Sequence, residues 1–285
     1  MPARIATHAA VAELMRRYDY LPKKSLGQNF LTDPRVAEKI AEAARITLGD
    51  RVIEIGPGLG GLTETLTENE AAVLAVELDK RLVYILQKTF AGNNRVEIIQ
   101  GDILKMDAGE LMRERGWRTA KVVANLPYYI TTPVLMGLLE GRLPLSVITV
   151  MVQKEVAGRL RAKPGSKEYG SLSVAAAYFA DVTLTALVPR NCFFPRPHVD
   201  SAVVTLKLID PRAGSDEEDL LFKCVKAAFG QRRKTLLNCL RAQTWINKGR
   251  EELLTVMKGC GFDEDIRGEA LSLDEFIRLA RALKD

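Results

Sequence analysis

Apolar residues fall in short blocks along the first part of the chain, with longer, more polar stretches between them. Val52, Ile53 and Ile55 form one block, Ala72–Leu78 a second and Val96–Gln100 a third. Val122–Ala124 begins a fourth and Leu145–Val152 is a fifth. Blocks this short, without polar alternation, suit strands buried on both faces. Asp33-Pro34 is an N-cap and first-turn pair for a helix running to about Ile46, and Lys80–Phe90 reads as another helix. Residues 5–18 read as a short N-terminal helix. Alternation of strands and helices predicts an α/β protein with a doubly wound, Rossmann-like, mostly parallel sheet. Asp181–Val188 and Ala202–Ile209 add two late strands, expected as an antiparallel pair. Residues 163–170 (Lys-Pro-Gly-Ser-Lys-Glu-Tyr-Gly) read as a mobile polar loop. Residues 210–216 have linker composition, and from Leu220 onward the pattern is helical. The expected division is a catalytic domain over 1–209 and a smaller all-helical domain over 210–285.

The first block runs into Gly-Pro-Gly-Leu-Gly-Gly, with glycines at 56, 58, 60 and 61. A strand that ends in glycines and turns into a helix lets backbone N–H groups approach a ligand closely. Gly56, Gly58 and Gly61 satisfy the spacing of the dinucleotide fingerprint, and Glu77 closes the next strand, where an acid can hold ribose hydroxyls. This pattern indicates a nucleoside-containing cofactor and leaves NAD and S-adenosylmethionine both open. In doubly wound sheets ligands sit beyond the carboxyl ends of the strands. Glu77, Asp102 and Asn125 all occupy such ends.

Composition narrows the class. Of 285 residues, 47% are hydrophobic, which supports a packed core. No apolar run approaches the ~20 residues of a membrane span. Residues 1–20 are interrupted by Arg4, Glu13, Arg16, Arg17 and Asp19, so no signal-peptide core is expected and the location is expected to be cytoplasmic. Cys192, Cys224, Cys239 and Cys260 are widely spaced, which fits reduced thiols and no metal site. With only His8 and His198, histidine-based catalysis has little to work with. The net charge of +5 permits a nucleic-acid partner without requiring one.

Asn125-Leu-Pro-Tyr128 is the tetrapeptide that points to a reaction. It matches the Asn/Asp-x-Pro-Tyr pattern of enzymes that methylate exocyclic amino groups. The N6 lone pair of adenine is delocalised into the ring, so the amine is a poor nucleophile. The side-chain oxygen of Asn125 and the carbonyl of Leu126 both accept from the amine hydrogens, which frees the lone pair. Pro127 stiffens the turn, and Tyr128 stacks on the base. No Pro-Cys dipeptide is present, which argues against thiolate attack on a pyrimidine carbon.

At these residues the chain resembles the small-subunit ribosomal RNA adenine dimethyltransferases, relatives of the erythromycin-resistance methyltransferases. The resemblance runs from about Lys23 to the end. It is carried by Ser25-Leu-Gly-Gln-Asn-Phe-Leu31, Val52–Gly60, Val76-Glu-Leu-Asp79, Gly101-Asp102, Asn125–Tyr128 and Phe193-x-Pro-x-Pro-x-Val-Asp-Ser201. Ala228–Thr235 and the closing Gly261-Phe-Asp and Leu271–Phe276 segments also fit. One departure is His198, where members usually carry Lys.

The resemblance implies S-adenosylmethionine as cofactor. It implies that Asn29 and Leu31 contact its methionine end, Gly56 and Gly58 line it through backbone, Glu77 takes the ribose hydroxyls and Asp102 the adenine amine. Asn125 then lies between cofactor and target, with Leu126 and Tyr128 beside it and Phe193 closing over a flipped base. The implied reaction moves four methyl groups to N6 of two adjacent adenosines in the 3′-terminal hairpin of small-subunit rRNA. The implied setting is ribosome biogenesis, with a monomer acting on a pre-30S particle and no membrane. Between Leu220 and Arg250 there are eight basic residues and no acid. With RNA implied as partner, Arg232, Arg233 and Lys234, together with Lys23 and Lys24, are the expected phosphate contacts. Three other readings compete. A macrolide-resistance enzyme acting on large-subunit rRNA usually has Ile where this chain has Leu126. A non-catalytic assembly factor does not need an intact Asn125–Tyr128. An NAD-dependent oxidoreductase leaves Asn125–Tyr128 and Phe193–Ser201 unexplained.

Overall fold

The computed structural model describes residues 4–210 and 215–284, so residues 211–214 of the expected linker lie outside the described residues. The strands are β1 (Phe30–Leu31), β2 (Arg51–Ile55), β3 (Ala72–Glu77), β4 (Val96–Gln100), β5 (Ala120–Asn125), β6 (Leu145–Gln153), β7 (Ala180–Val188), β8 (Phe193–Phe194) and β9 (Ser201–Leu208). The first helices are α1 (His8–Arg17), α2 (Pro34–Ala43), α3 (Gly61–Glu68), α4 (Lys80–Thr89), α5 (Ala108–Glu114) and α6 (Thr131–Glu140). They are followed by α7 (Lys154–Leu160), α8 (Ser171–Phe179), α9 (Ser215–Gly230), α10 (Leu236–Arg241), α11 (Arg250–Gly259) and α12 (Leu273–Lys284). Among the described residues no helix is long and apolar enough to cross a membrane.

Seven strands form one sheet in the order β4-β3-β2-β5-β6-β9-β7. The pairs β2–β3, β3–β4, β2–β5 and β5–β6 are parallel, and β9 joins β6 antiparallel. Strand order reverses between β2 and β5, the switch point where such sheets open a crevice at their carboxyl ends. Val52, Ile53, Val73, Leu74, Val122 and Val123 are at most 2% exposed, as their unbroken apolar runs require. Caps place the flanking helices. Asp33 caps α2 with Pro34 at its first turn, and Asp79 caps α4 by accepting the Arg81 N–H at 3.0 Å. Separately, β1 and β8 form a two-stranded antiparallel sheet, with Phe30 opposite Phe194 and Leu31 opposite Phe193.

The chain parts into two compact units, Met1–Ala157 with Asp181–Leu208, and Gly158–Ala180 with Ile209–Asp285. The sequence pattern assigns Gly158–Ala180 to the first domain. In the structure it groups with the C-terminal helices, and aromatic packing is the reason. The Phe179 ring stacks on Phe222 at 5.2 Å, Tyr178 meets Phe222 at 5.3 Å, and Tyr169 meets Phe229 at 5.7 Å. The loop expected to be mobile is fastened within this unit. Gly165 N–H donates to Glu269 O at 2.8 Å, and the Tyr169 hydroxyl donates to Leu271 O at 2.8 Å.

Candidate active site

β2 ends at Ile55, and the chain turns sharply because Gly56 and Gly58 sit at φ +67° and +62°. These left-handed values favour glycine. Space is also short: a Cβ on Gly58 would lie 3.0 Å from the Phe30 ring, and one on Gly56 would lie 3.4 Å from Pro127. Gly58→Ala is therefore expected to cost roughly 1–2 kcal/mol from backbone strain alone, read as a lower melting temperature.

Three acids line the cleft formed there: Glu54, Glu77 and Asp102. Glu77 ends β3 and is 6% exposed. Its carboxylate accepts from Gly58 N–H at 3.2 Å and Asp79 N–H at 2.9 Å. Burial pushes it up to about 7, against the lowering effect of those two donors. Glu54, in the middle of β2, is 1% exposed and accepts from the Thr63 hydroxyl at 2.6 Å. Burial, together with the charge of Glu77, pushes it up to about 8. Asp102 sits beyond β4, partly exposed, and accepts from Leu104 N–H at 3.1 Å.

Asn125 is the last residue of β5, and its amide donates to Asn29 O at 3.2 Å. That bond assigns the amide nitrogen and leaves the side-chain oxygen available as an acceptor. Leu126 is anchored by its own N–H on Met151 O at 3.1 Å. Pro127 O accepts from the Thr131 hydroxyl at 3.1 Å, which closes the turn into α6. The Tyr128 hydroxyl is 2.8 Å from Ser201 Oγ, so its ring is held from behind. Asn29, Leu31, Gly56, Gly58, Glu77, Asp102, Asn125, Leu126 and Tyr128 thus all line one cleft.

Three expected site residues are placed differently. Phe193 is 4% exposed and packs in the core with Leu31 and Val203. Side chains alternate along a strand, so in β8 Phe193 faces inward and the adjacent Phe194, 40% exposed, faces outward. The Lys23 ammonium is ion-paired with Asp79 at 2.8 Å. Arg232 donates to Lys167 O at 3.1 Å and Tyr169 O at 2.9 Å, which ties a turn together within the second unit. Lys24, Arg233 and Lys234 are exposed, as phosphate contacts would have to be. Glu54 and Asp79 belong to the site region without having been expected there. A signal exists for Glu54: it is a charged residue inside the apolar run Val-Ile-Glu-Ile, and a buried acid there requires a partner.

The donor set decides between the two cofactors left open by the glycines. Among the described lining residues there is no Lys or Arg, and the Gly58 N–H that would meet a diphosphate is already given to Glu77. A lining without a basic side chain offers a dinucleotide's diphosphate no countercharge, whereas a nucleoside cofactor without phosphates needs none. S-adenosylmethionine, with its sulfonium and ammonium groups, fits these residues.

A doubly wound sheet with this cleft at its switch point defines an S-adenosylmethionine-dependent methyltransferase of the Rossmann-like class. Residues 21–284 match the family model described as ribosomal RNA adenine dimethylase, and the chain belongs to that family. It is 50% identical over 271 residues to the ribosomal RNA small subunit methyltransferase A of Lachnoclostridium phytofermentans, covering 94% of this chain and 93% of the relative. It is 45% identical to the protein of the same name from Clostridioides difficile, over 98% of this chain and 97% of the relative. Among solved structures, a dimethyladenosine transferase from Plasmodium falciparum superposes with a TM-score of 0.69 at 27% identity, covering 87% of this chain and 95% of the other.

Proposed function

We propose that this enzyme dimethylates N6 of two adjacent adenosines in the 3′-terminal hairpin of small-subunit rRNA. Its setting would be the cytoplasm, where it acts as a monomer on a pre-30S particle during ribosome biogenesis. The observation that carries the reading is Asn125: its amide nitrogen is committed to Asn29 O, and its oxygen stands beside the acid-lined cofactor cleft. The names of the 45–50% identical relatives support the small-subunit target.

S-adenosylmethionine, when bound, supplies a methyl group on a positively charged sulfur. Glu77 takes the ribose hydroxyls and Asp102 the adenine amine. Glu54, held by the Thr63 hydroxyl, lines the same cleft. Asn29 and Leu31 form the wall at the methionine end. Asn125 Oδ1 and Leu126 O accept from the target amine and turn its lone pair toward the methyl group. Tyr128, fixed through Ser201, supplies the stacking face, while Phe193 supports the wall from the core.

The deciding experiment is methylation of small subunits that lack the modification, with the modified nucleotides mapped. Two adjacent dimethyladenosines near the 3′ end are expected. Exclusive modification of large-subunit rRNA, or none with cofactor bound, would overturn the assignment.

For RNA contact, the reading rests on the exposed Arg233 and Lys234 rather than on Arg232, whose donors are used internally. Arg233→Ala with Lys234→Ala is expected to lower the log–log salt slope of RNA binding by ~0.7–0.9 for each phosphate that is no longer neutralised. Cofactor affinity should not change. An unaltered slope would make this run a solvated face.

A further inference from the structure

Asp79 does more than cap α4. Capping uses Oδ1, which accepts the Arg81 N–H at 3.0 Å. A cap at a helix start ordinarily lies in solvent, yet the side chain of Asp79 is 1% exposed. Its second oxygen, Oδ2, faces three groups from one stretch of chain: Lys23 Nζ at 2.8 Å, the Tyr20 hydroxyl at 3.0 Å and Gln28 Nε2 at 3.3 Å. Gln28 Oε1 in turn accepts the Lys23 N–H at 2.7 Å and lies 2.7 Å from the Tyr20 hydroxyl. Arg81 fastens the start of the same stretch, donating to Tyr18 O at 3.0 Å and Asp19 O at 2.6 Å. Its guanidinium lies 5.5 Å from the Tyr20 ring centroid. Beneath, Tyr20 and Phe30 pack in one apolar cluster with Leu59, Leu82 and Ile85.

The network centred on Asp79 reaches the site at two points. At one the Asp79 N–H donates to Glu77 Oε1 at 2.9 Å. At the other, Asn29 O accepts the amide of Asn125 at 3.2 Å, and Phe30 stands against Gly58. Leu26–Leu31 line the cleft, and the hydrogen bonds of Tyr20, Lys23 and Gln28 join this lining through Asp79 to the acid expected at the ribose, while Asn29 joins it to the asparagine expected at the amine. Tyr20 and Gln28 are neutral, so Lys23 is the charged partner for a carboxylate removed from water. Burial opposes the Asp79 charge, and the bonds from Lys23, Arg81 N–H and Tyr20 hold it below the usual carboxylate range.

We propose that Lys23 and Asp79 are positioning residues for methyl transfer. Their ion pair holds residues 20–29 in place, so that Leu26–Asn29 stand as the cleft wall and Asn29 O orients Asn125, and Lys23 is not an RNA contact. The proposal rests on the cofactor reading above. Without the pair, the wall loosens and Asn29 O no longer fixes the Asn125 amide.

The test compares the whole protein with Lys23→Gln, Asp79→Asn and the double variant. Asn retains the helix cap, and Lys23 is 45% exposed, so both singles are expected to fold, with melting followed alongside. Three quantities are measured: S-adenosylmethionine Kd by calorimetry, single-turnover methyl transfer at saturating cofactor and RNA, and the salt slope of binding to a hairpin RNA carrying the target adenosines. Lys23→Gln is expected to raise the cofactor Kd on the order of tenfold, as for loss of one charge-assisted bond. It should also slow transfer at saturation and leave the salt slope unchanged. The double variant should be little worse than either single, because both remove the same pair. A salt slope lowered by ~0.7–0.9 with unchanged cofactor affinity would make Lys23 a phosphate contact and overturn the proposal. Additive effects of the two variants would also overturn it. Wild-type protein that binds no S-adenosylmethionine would overturn the function reading and this proposal together. Wild-type binding with an unaffected Lys23→Gln variant would overturn this proposal alone.

Discussion

Glu77→Ala is expected to raise the S-adenosylmethionine Kd on the order of 10²–10⁴-fold, because two charge-assisted bonds to ribose hydroxyls are worth roughly 1.5–3 kcal/mol each. The change also leaves the N–H groups of Gly58 and Asp79 without their acceptor, so some of the loss is disorder of the glycine turn. Glu77→Gln separates the two effects, since it retains an acceptor oxygen and the shape. The charge has a signature of its own in pH. In the free protein burial places the Glu77 carboxyl at about 7. Ribose hydroxyls donate to the ionised form, so binding lowers this value. A group whose pKa is lowered on binding contributes affinity fully above its free value and loses it as pH falls. The wild-type Kd should therefore rise about tenfold per unit below pH ~7, until the bound-state value is reached. Glu54, raised to about 8, titrates in the adjacent window and remains in the variant. The difference between wild type and Glu77→Gln isolates Glu77. Calorimetry from pH 6 to 9 that gives parallel curves for the two proteins would remove the Glu77 charge from cofactor binding.

The readable parts of this chain are those where one residue type has one physical use. Val52, Ile53 and Ile55 are buried whichever face of β2 they point to, as suits an interior strand of a sheet covered on both faces, and β2 does pair with β3 on one side and β5 on the other. Gly56 and Gly58 are glycines because φ is positive and neighbouring rings leave no room for a Cβ. Glu77, Asp102 and Asn125 are polar at strand ends because a ligand is expected there, and all three line the cleft.

Lysine and arginine are harder to read, because their sequence says only that they are charged. Lys23 beside Lys24 has the look of a phosphate contact, yet the two differ by the burial of Asp79, more than fifty positions away in the chain. Arg232 beside Arg233 differs in the same way, by two backbone carbonyls of a loop that only tertiary packing brings near. Phe193 and Phe194 are told apart only by the pairing of β8 with β1, since a strand of two residues has no readable period. α8 is hidden for the opposite reason: Leu172, Val174, Ala175, Ala176, Tyr178 and Phe179 are all buried, so no polar face marks its helical repeat.

Asn125→Ala is expected to slow methyl transfer by on the order of 10²–10³, the usual consequence of removing one preorganised polar group from a transition state. Adenine N6 becomes nucleophilic only as its hydrogens are taken up by acceptors and its lone pair leaves the ring. Asn125 Oδ1 is suited to this because the other end of the amide is spent on Asn29 O at 3.2 Å, which sets the orientation before any base arrives. The same bond makes aspartate a poor replacement here. A carboxylate would turn an oxygen toward the Asn29 carbonyl, so Asn125→Asp is expected to lose the orientation as well as the donor. Leu126 is held by its own N–H on Met151 O and Tyr128 by Ser201, and neither depends on the Asn125 side chain. Stacking and RNA affinity should therefore outlast turnover in the alanine variant. Cofactor affinity is expected to fall less than the rate, because the ribose and adenine contacts of Glu77 and Asp102 remain. The measurement is single-turnover transfer at saturating cofactor and RNA, with folding checked by melting. A near-normal rate would take Asn125 out of the chemistry and leave Asn125–Tyr128 as a turn that only shapes the end of β5.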